Sequence, residues 1–421
     1  MVATVVGLTR VWRMLRESLG AALLWTAQTL TAAGALVLCA ATIGTAVGLA
    51  LGWVEWIVAG AASILLLLAA LPFLFGARAY DVRLTLAHER VVAGDDAEGE
   101  VSIRNRARTT RLPGRLDLPV GDGLIELGVP LLRPGHVVAQ PLRIPALRRG
   151  IVTVGPVTSV RSDPVGLLRR EHGGEGVHRI YVHPRTVAIP STSAGFVRDL
   201  EGRPTRRLVD ADMSFHAIRE YVPGDSRRQI HWKSTAKTGR LMVRQFEETR
   251  RSRIAVVLGL AAEEYADADE FELAVSAAAS LGAQAVRDGR DLEVVTGTEI
   301  PRIVRDRLRA IQDISAASPR ALLDGFCDVR TWEHTMPVES VCALTAESKP
   351  ALSIAFVVCG SRVSAARVRR AALAFHSDTA VVAVRCDERA HPRAQSTGGM
   401  SVLTIGLLED LVQLMLRRAA A

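Results

Sequence analysis

The side chains able to do chemistry concentrate in one stretch of this 421-residue chain, from Phe215 to Glu247. A hydrolytic site there would recruit His216, Asp225, His231 and Ser234, since a base, an orienting acid and a hydroxyl are the parts of an activated nucleophile. None of the surrounding sequence supplies a G-x-S-x-G elbow, a P-loop or an H-E-x-x-H pair. The expectation is therefore a non-enzyme with no catalytic residues and no cofactor, with an uncharacterised hydrolase as the last alternative. Read for backbone, Pro223-Gly224 makes a turn and Asp225 caps a helix from Ser226 to Lys237. That helix stops at Gly239 in a left-handed conformation, and a strand runs from Arg240 to Phe246. Ile230, Lys233, Ser234 and Lys237 would share one helix face and Arg228 and Trp232 another. Trp232 is expected in the core.

Charge follows the same stretch. Segment 198–253 carries 14 Arg and Lys against 8 Asp and Glu, so most of the chain's formal +8 sits there. Such a patch suits phosphates, an anionic membrane surface or an acidic partner, or else a solvated face with internal ion pairs. Trp232 and Phe246 could stack on bases, but no nucleic-acid motif accompanies the charge, so nucleic acid is the secondary reading. The five cysteines, Cys39, Cys327, Cys342, Cys359 and Cys386, have no CxxC pairing. This argues against a disulfide framework and a zinc site, and buried free thiols are expected.

The elements that must position this stretch begin in lipid. Between Leu19 and Phe75 the only ionisable side chains are Cys39 and Glu55. A bilayer needs about 20 apolar helical residues, and two such runs occur, at about Leu30–Leu51 and Ile57–Phe75. Gly52-Trp53-Val54-Glu55-Trp56 reads as the tight turn between them. Gly34, Gly44, Gly48, Gly60, Ala61 and Ala62 would let the helices approach closely. A signal peptide has a shorter apolar core and a cleavage site. Arg10, Arg13 and Arg16 precede the first span, Arg78 and Arg83 follow the second, and the turn has no Arg or Lys. The positive-inside rule then puts both ends, and the soluble region, in the cytoplasm. Leu8–Leu23 is amphipathic enough to lie on the inner leaflet.

Four regions result. Residues 1–79 form a membrane anchor. Residues 80–190 form a β-sandwich-like domain, because short alternating runs such as Val82-Arg-Leu-Thr-Leu86 are broken by Pro113-Gly114, Pro134-Gly135 and Asp163-Pro164. Residues 191–250 hold a polar linker and the reactive stretch. Residues 251–421 alternate strands at 254–258, 292–296, 354–359, 380–385 and 402–405 with helices at 271–287, 363–375 and 407–419. That alternation implies a doubly wound α/β fold on a parallel sheet.

The stretch around Tyr221 closely resembles the signature of the DUF58 family, Y-x-P-G-D-x-x-R-x-I-x-W-K-x-S-A followed by a strand ending in Phe-Glu. Tyr221, Pro223, Gly224, Asp225, Arg228, Ile230, Trp232, Lys233, Ala236, Leu241, Phe246 and Glu247 fall on the pattern, while Ser226 and Thr235 depart from it. Arg149-Gly150 to Pro156, Asp163-Pro-Val-Gly-Leu167 and the two spans also look like this family. The resemblance implies that 251–421 is a von Willebrand factor A-like domain, whose Asp-x-Ser-x-Ser loop often binds Mg²⁺. Here the matching positions are Gly259, Ala261 and Glu263, so a degenerate site without metal is expected. Glu264, Asp267 and Asp269 would form a solvated acidic loop. It also implies an adaptor working with a MoxR-type AAA+ ATPase and related von Willebrand A proteins. On that analogy Tyr221, Pro223, Gly224, Asp225, Arg228, Ile230, Trp232, Lys233, Arg244, Phe246 and Glu247 are partner-binding candidates.

Overall fold

A computed structural model describes residues 29–74, 80–111, 113–174, 176–190, 213–223, 225, 227–248, 253–300, 310–349, 351–397 and 399–420. The chain divides into two compact units, Met1–Val182 and His183–Ala421. Arg10, Arg13, Arg16, Arg78, the amphipathic Leu8–Leu23 and residues 191–212 of the polar linker expected at 191–215 lie outside the described residues.

The first unit opens with helices α1 (Ala32–Leu51) and α2 (Val54–Leu74). Both are long and apolar enough to cross a membrane. Their large side chains point outward: Leu36, Leu49 and Leu65 are 71%, 76% and 68% exposed. A helix pair in water does not leave so much apolar surface uncovered. Thr31 caps α1 and Gly52 closes it in the left-handed region. The connection is shorter than expected, because Val54, Glu55 and Trp56 already belong to α2. Glu55 falls in its first turn, where a carboxylate complements the unpaired N–H groups.

Three of the six small residues do what their size suggests. A Cβ on Gly44 would come 3.1 Å from Gly60 Cα, one on Gly60 would come 2.7 Å from Thr45 N, and one on Gly48 would come 2.8 Å from Ile57 N. Ala61 and Ala62 face outward instead. Gly34 makes way for something else, since its Cβ would strike the carbonyl of Leu167.

Residues 80–182 then form two antiparallel sheets. Strands Tyr80–Leu86, Asp96–Asn105 and Val137–Pro145 make the smaller one. The larger contains Gly114–Val120, Gly123–Val129, Gly150–Val154, Thr158–Ser162 and Arg169–Gly173. The alternation legible in the sequence places Val101, Ile103, Leu142 and Ile144 of one sheet in a common core with Leu116, Leu118, Val154 and Ile180 of the other.

The second unit carries a seven-stranded sheet in the order Ile311–Ile314, Asp291–Gly297, Arg253–Leu258, Ile354–Cys359, Ala380–Cys386, Met400–Ile405 and Arg393–Thr397. The five inner strands pair parallel and the two outer ones antiparallel. Period-2 alternation supplies two cores. Val256, Leu258, Phe356 and Val358 face one core, with buried residues of Ala268–Arg287 and Leu408–Ala420. Ala255, Val257, Ala355 and Val357 face the other, with Val338–Ser348 and Ala365–Leu373. The five parallel strands match the apolar runs. The two edge strands were not foreseen, because an edge is half solvated and residues such as Gln312, Asp313 and Gln395 hide its pattern. His183, Val187 and Ile189 join this unit through a 2.7 Å bond to Asp324, a 3.1 Å bond to Ser280 Oγ and the first of these cores.

Substituting Gly60 tests the helix contact. Gly60→Val should cost about 1–3 kcal/mol through backbone separation, read as a lowered unfolding midpoint of the full-length protein in detergent. Ala61→Val, on the outward face, should leave the midpoint unchanged.

Candidate functional site

The stretch that carries the chemistry folds as a small module of its own. Met213–Glu220 and Met242–Glu248 form a two-stranded antiparallel sheet, with Ile218 opposite Arg244 and Glu220 opposite Met242. Between them lie a 3₁₀ turn at Arg227–Gln229 and the helix Trp232–Thr238. The helix is shorter than the sequence suggests because Asp225 does not cap it. Both Asp225 oxygens receive hydrogen bonds from the Arg219 guanidinium, at 2.8 and 2.7 Å, and Oδ2 also accepts Val222 N–H at 2.9 Å. The carboxylate therefore closes the turn behind it. Arg219 and the Val222 amide hold Asp225 below the usual carboxylate range, and Asp225 in turn raises Arg219.

The cap is His231. Its Nδ1 accepts from Ser234 Oγ at 2.7 Å and Ser234 N–H at 3.3 Å. His231 N–H bonds Met242 O, Met242 N–H bonds Thr235 Oγ1, and Ile230 bridges Val243. These bonds pin the helix to the returning strand, and Gly239 ends it with φ 70° as expected. Among the described residues that a hydrolase would recruit, His231 and Ser234 meet, as a helix cap. Asp225 is committed to Arg219, and the His216 side chain lies outside the described residues. Arg219 was missed at the sequence level. The available signal was its place just before the Val222–Asp225 turn, within reach of an Asp at the turn's far end.

No residue of this helix is buried. Trp232, expected in the core, is 67% exposed: a seven-residue helix held by its ends has no apolar face turned inward. Val222 and Leu241 are also exposed. Tyr221 and Ile230 are half-buried, and Pro223, Arg228, Lys233 and Arg244 are exposed. Arg228, Lys233, Lys237 and Arg244 have no carboxylate partner among the described residues. Phe246 and Glu247 lie on the second strand, with side chains outside the described set, as is Gly224.

A second polar cluster stands at the C-terminal ends of the parallel strands, where the chain leaves the central strand and neighbours diverge to either side. Such switch points are the usual ligand crevices of α/β sheets. Gly259 and Ala261 are buried and Glu263 is exposed. Glu264 is fully buried, which corrects the expected solvated loop. Its Oε1 accepts Val338 N–H at 2.9 Å and Arg367 Nη2 at 2.6 Å, while Oε2 lies against Gly259 with no partner among the described residues. Arg367 also forks onto Glu339 at 2.9 Å. Asp267 caps the following helix, and Glu270 accepts the Ser361 amide and hydroxyl at 2.7 and 2.8 Å. Among the described residues no three His, Cys, Asp or Glu side chains form a metal-holding group. The oxygen donors a hard cation needs do not fit here, since the buried carboxylate already faces a guanidinium.

Burial pushes Glu264 from the ordinary glutamate value of 4.5 up to about 7, against the opposing pull of Val338 N–H and Arg367. The folded state therefore keeps a proton that the unfolded chain releases at lower pH. This stability is fully present below about pH 4.5 and is lost as pH rises through about 7. Wild type should lose about 3 kcal/mol from this group between pH 5 and pH 8. Glu264→Gln, which keeps the Oε1 acceptor, should flatten that decline in chemical-denaturation curves.

No curated protein matches the chain. The CARDB domain of a Pyrococcus furiosus protein, solved in complex with di-metal ions, aligns over 24% of this chain and 93% of its own at 13% identity, with a TM-score of 0.19. A β-glucosidase from Listeria innocua in complex with isofagomine aligns over 24% of this chain and 16% of its own at 12% identity, TM-score 0.18. A β-glucosidase from Erythrobacter marinus aligns over 24% and 15% at 13% identity, TM-score 0.17. The chain thus spans only a small part of the glucosidases, and scores at this level carry no argument about fold or activity. The module built on Arg219, Asp225 and His231 falls within the match that remains: residues 217–321 fit the model of the family described as protein of unknown function DUF58.

Proposed function

We propose that this chain is a membrane-tethered interaction protein that offers its signature module to a partner. The observation that carries the reading is the exposed indole of Trp232 on a helix that buries nothing. An aromatic ring near cations that have no carboxylate partner among the described residues has the composition of a binding hot spot, where Trp and Arg dominate the energy. The partner class is a MoxR-type AAA+ ATPase, together with related von Willebrand A proteins, in keeping with the resemblance of the signature. The strand order of the second unit, with an antiparallel edge beyond the central parallel strands, supports a von Willebrand A-like doubly wound domain there. Outward-facing leucines on α1 and α2 support anchorage in lipid. The Arg residues flanking the spans, with none between them, support a cytoplasmic placement of both soluble units. The chain is assigned no catalytic step.

The exposure of Trp232 also favours a second reading. An accessible ring beside Arg228 and Lys233 can stack on a base while the cations meet phosphates.

Capture of the full-length protein from solubilised membranes, with mass spectrometry of the co-purified proteins and nuclease treatment of the co-purified nucleic acid, separates the two. Trp232→Ala and the Arg228→Ala/Lys233→Ala pair should each reduce recovery of an AAA+ ATPase by about tenfold or more. Their thermal midpoints should stay at the wild-type value, because the helix buries no side chain. Unchanged capture would remove the proposal, and loss of nuclease-sensitive material instead would establish the second reading.

A further inference from the structure

Three features of the first unit bear on how its sheets meet the helix pair. Leu167 and Leu168 are buried in a cluster with Ala70 and against Leu30, Val37, Leu67 and Leu71. The contact is bonded as well as packed. Thr31 N–H donates to Leu167 O at 3.1 Å, and Thr31 Oγ1 donates toward Gly166 O at 2.7 Å and Leu167 O at 2.9 Å. Gly34 admits the Leu167 carbonyl where any Cβ would collide with it. The loop touches the first turns of α1 and the last turns of α2, which lie at the same end of the helix pair.

Helix length sets the depth of that contact. The spans have 20 and 21 residues, about 30 Å at 1.5 Å per residue, which is the thickness of the hydrocarbon layer. No length is left for them to stand proud of the bilayer. Val37 lies about 8 Å and Leu67 about 10 Å inside their respective ends. Leu168, bridged to Leu30 just before α1, shares an apolar groove of about 310 Å³ with Leu38, Thr42, Thr45, Ile64 and Leu68. Val165, at the tip of the same loop, is 64% exposed.

Part of the loop's backbone is bonded within the protein. Irregular backbone survives at membrane depth only where its polar groups are satisfied by protein. Asp163, itself 4% exposed, accepts Val165 N–H at 3.0 Å and Leu168 N–H at 2.6 Å. Its own carbonyl takes Gly166 N–H, and its amide donates to Leu168 O. Gly166 supplies the φ of 76° that the turn needs.

We propose that Asp163–Leu168 is a membrane-inserted wedge whose ligand is the acyl region of the bilayer, and that it seats the sheets of the first unit directly on the lipid surface. The inference rests on the reading of α1 and α2 as spans. Its test uses the full-length chain with Cys39→Ala and Val165→Cys, the other four cysteines being buried. A nitroxide at position 165 in phosphatidylcholine–phosphatidylglycerol vesicles is compared with nitroxides at Leu36→Cys and at the exposed Asp378→Cys. The ratio of oxygen to nickel-chelate collisions at 165 should approach that at 36 and exceed that at 378 several-fold. A ratio equal to that at 378, in protein that stays with the vesicles in alkaline carbonate, overturns the wedge alone. Release of the protein by carbonate overturns the spans as well.

Discussion

Carboxylates withdrawn from water govern the geometry of both units. A buried acceptor left without donors costs on the order of several kcal/mol, so each one draws the surrounding chain into a particular path. Asp163 gathers the amides of Val165 and Leu168 and so shapes the loop that meets the helix pair. Glu270 gathers Ser361, and Glu264 gathers Val338 and Arg367. Asp225, nearer the surface, does the same for Arg219 and Val222. Glu264 and Glu270 tie together segments far apart in the chain, while Asp163 and Asp225 close their own turns.

The crevice at the end of the parallel sheet illustrates what such a network does to function. In an α/β sheet the diverging loops at the switch point offer a place for a ligand. Here Glu264, Arg367 and Glu339 occupy that place with an internal ion pair and its fork. Tyr265 completes the filling by donating to Gly259 O at 2.7 Å. The guanidinium stands where an external cation would otherwise be required.

That module is built unlike the two cores. Its helix is fastened by hydrogen bonds at His231, Thr235 and Gly239 rather than by an apolar face. An isolated two-stranded sheet is marginal in water, so the Arg219–Asp225 clamp and the bonds to Met242 carry much of its order. The consequence is a Trp that shape leaves in solvent, flanked by cations without carboxylate partners among the described residues. A surface of this kind is open to a partner at little cost to the fold.

Much of this was legible in residue patterns because the patterns report what each element touches. Nearly charge-free runs of about 20 residues identify α1 and α2, since only lipid or a deep core tolerates them. Period-2 alternation identifies the sheet residues of the first unit, and unbroken runs such as Ile254–Leu258 identify strands covered on both faces. Local chemistry also marked Gly239 as a helix stop. What stayed hidden depends on partners distant in the chain. Trp232 looked buried because large aromatic residues usually are, yet no described residue folds over it. Asp225 looked like a cap, yet Arg219 claims it across the turn. Gly34 looked like a helix–helix contact, yet it faces Leu167, more than a hundred residues away. Glu264 looked solvated, yet Arg367 reaches it from another helix. The sequence by itself determined the two long apolar helices and the apolar inner strands, because those preferences are local and periodic. Tertiary structure alone decided which polar side chains are paired and which face solvent, because that depends on what long-range folding brings within hydrogen-bonding distance.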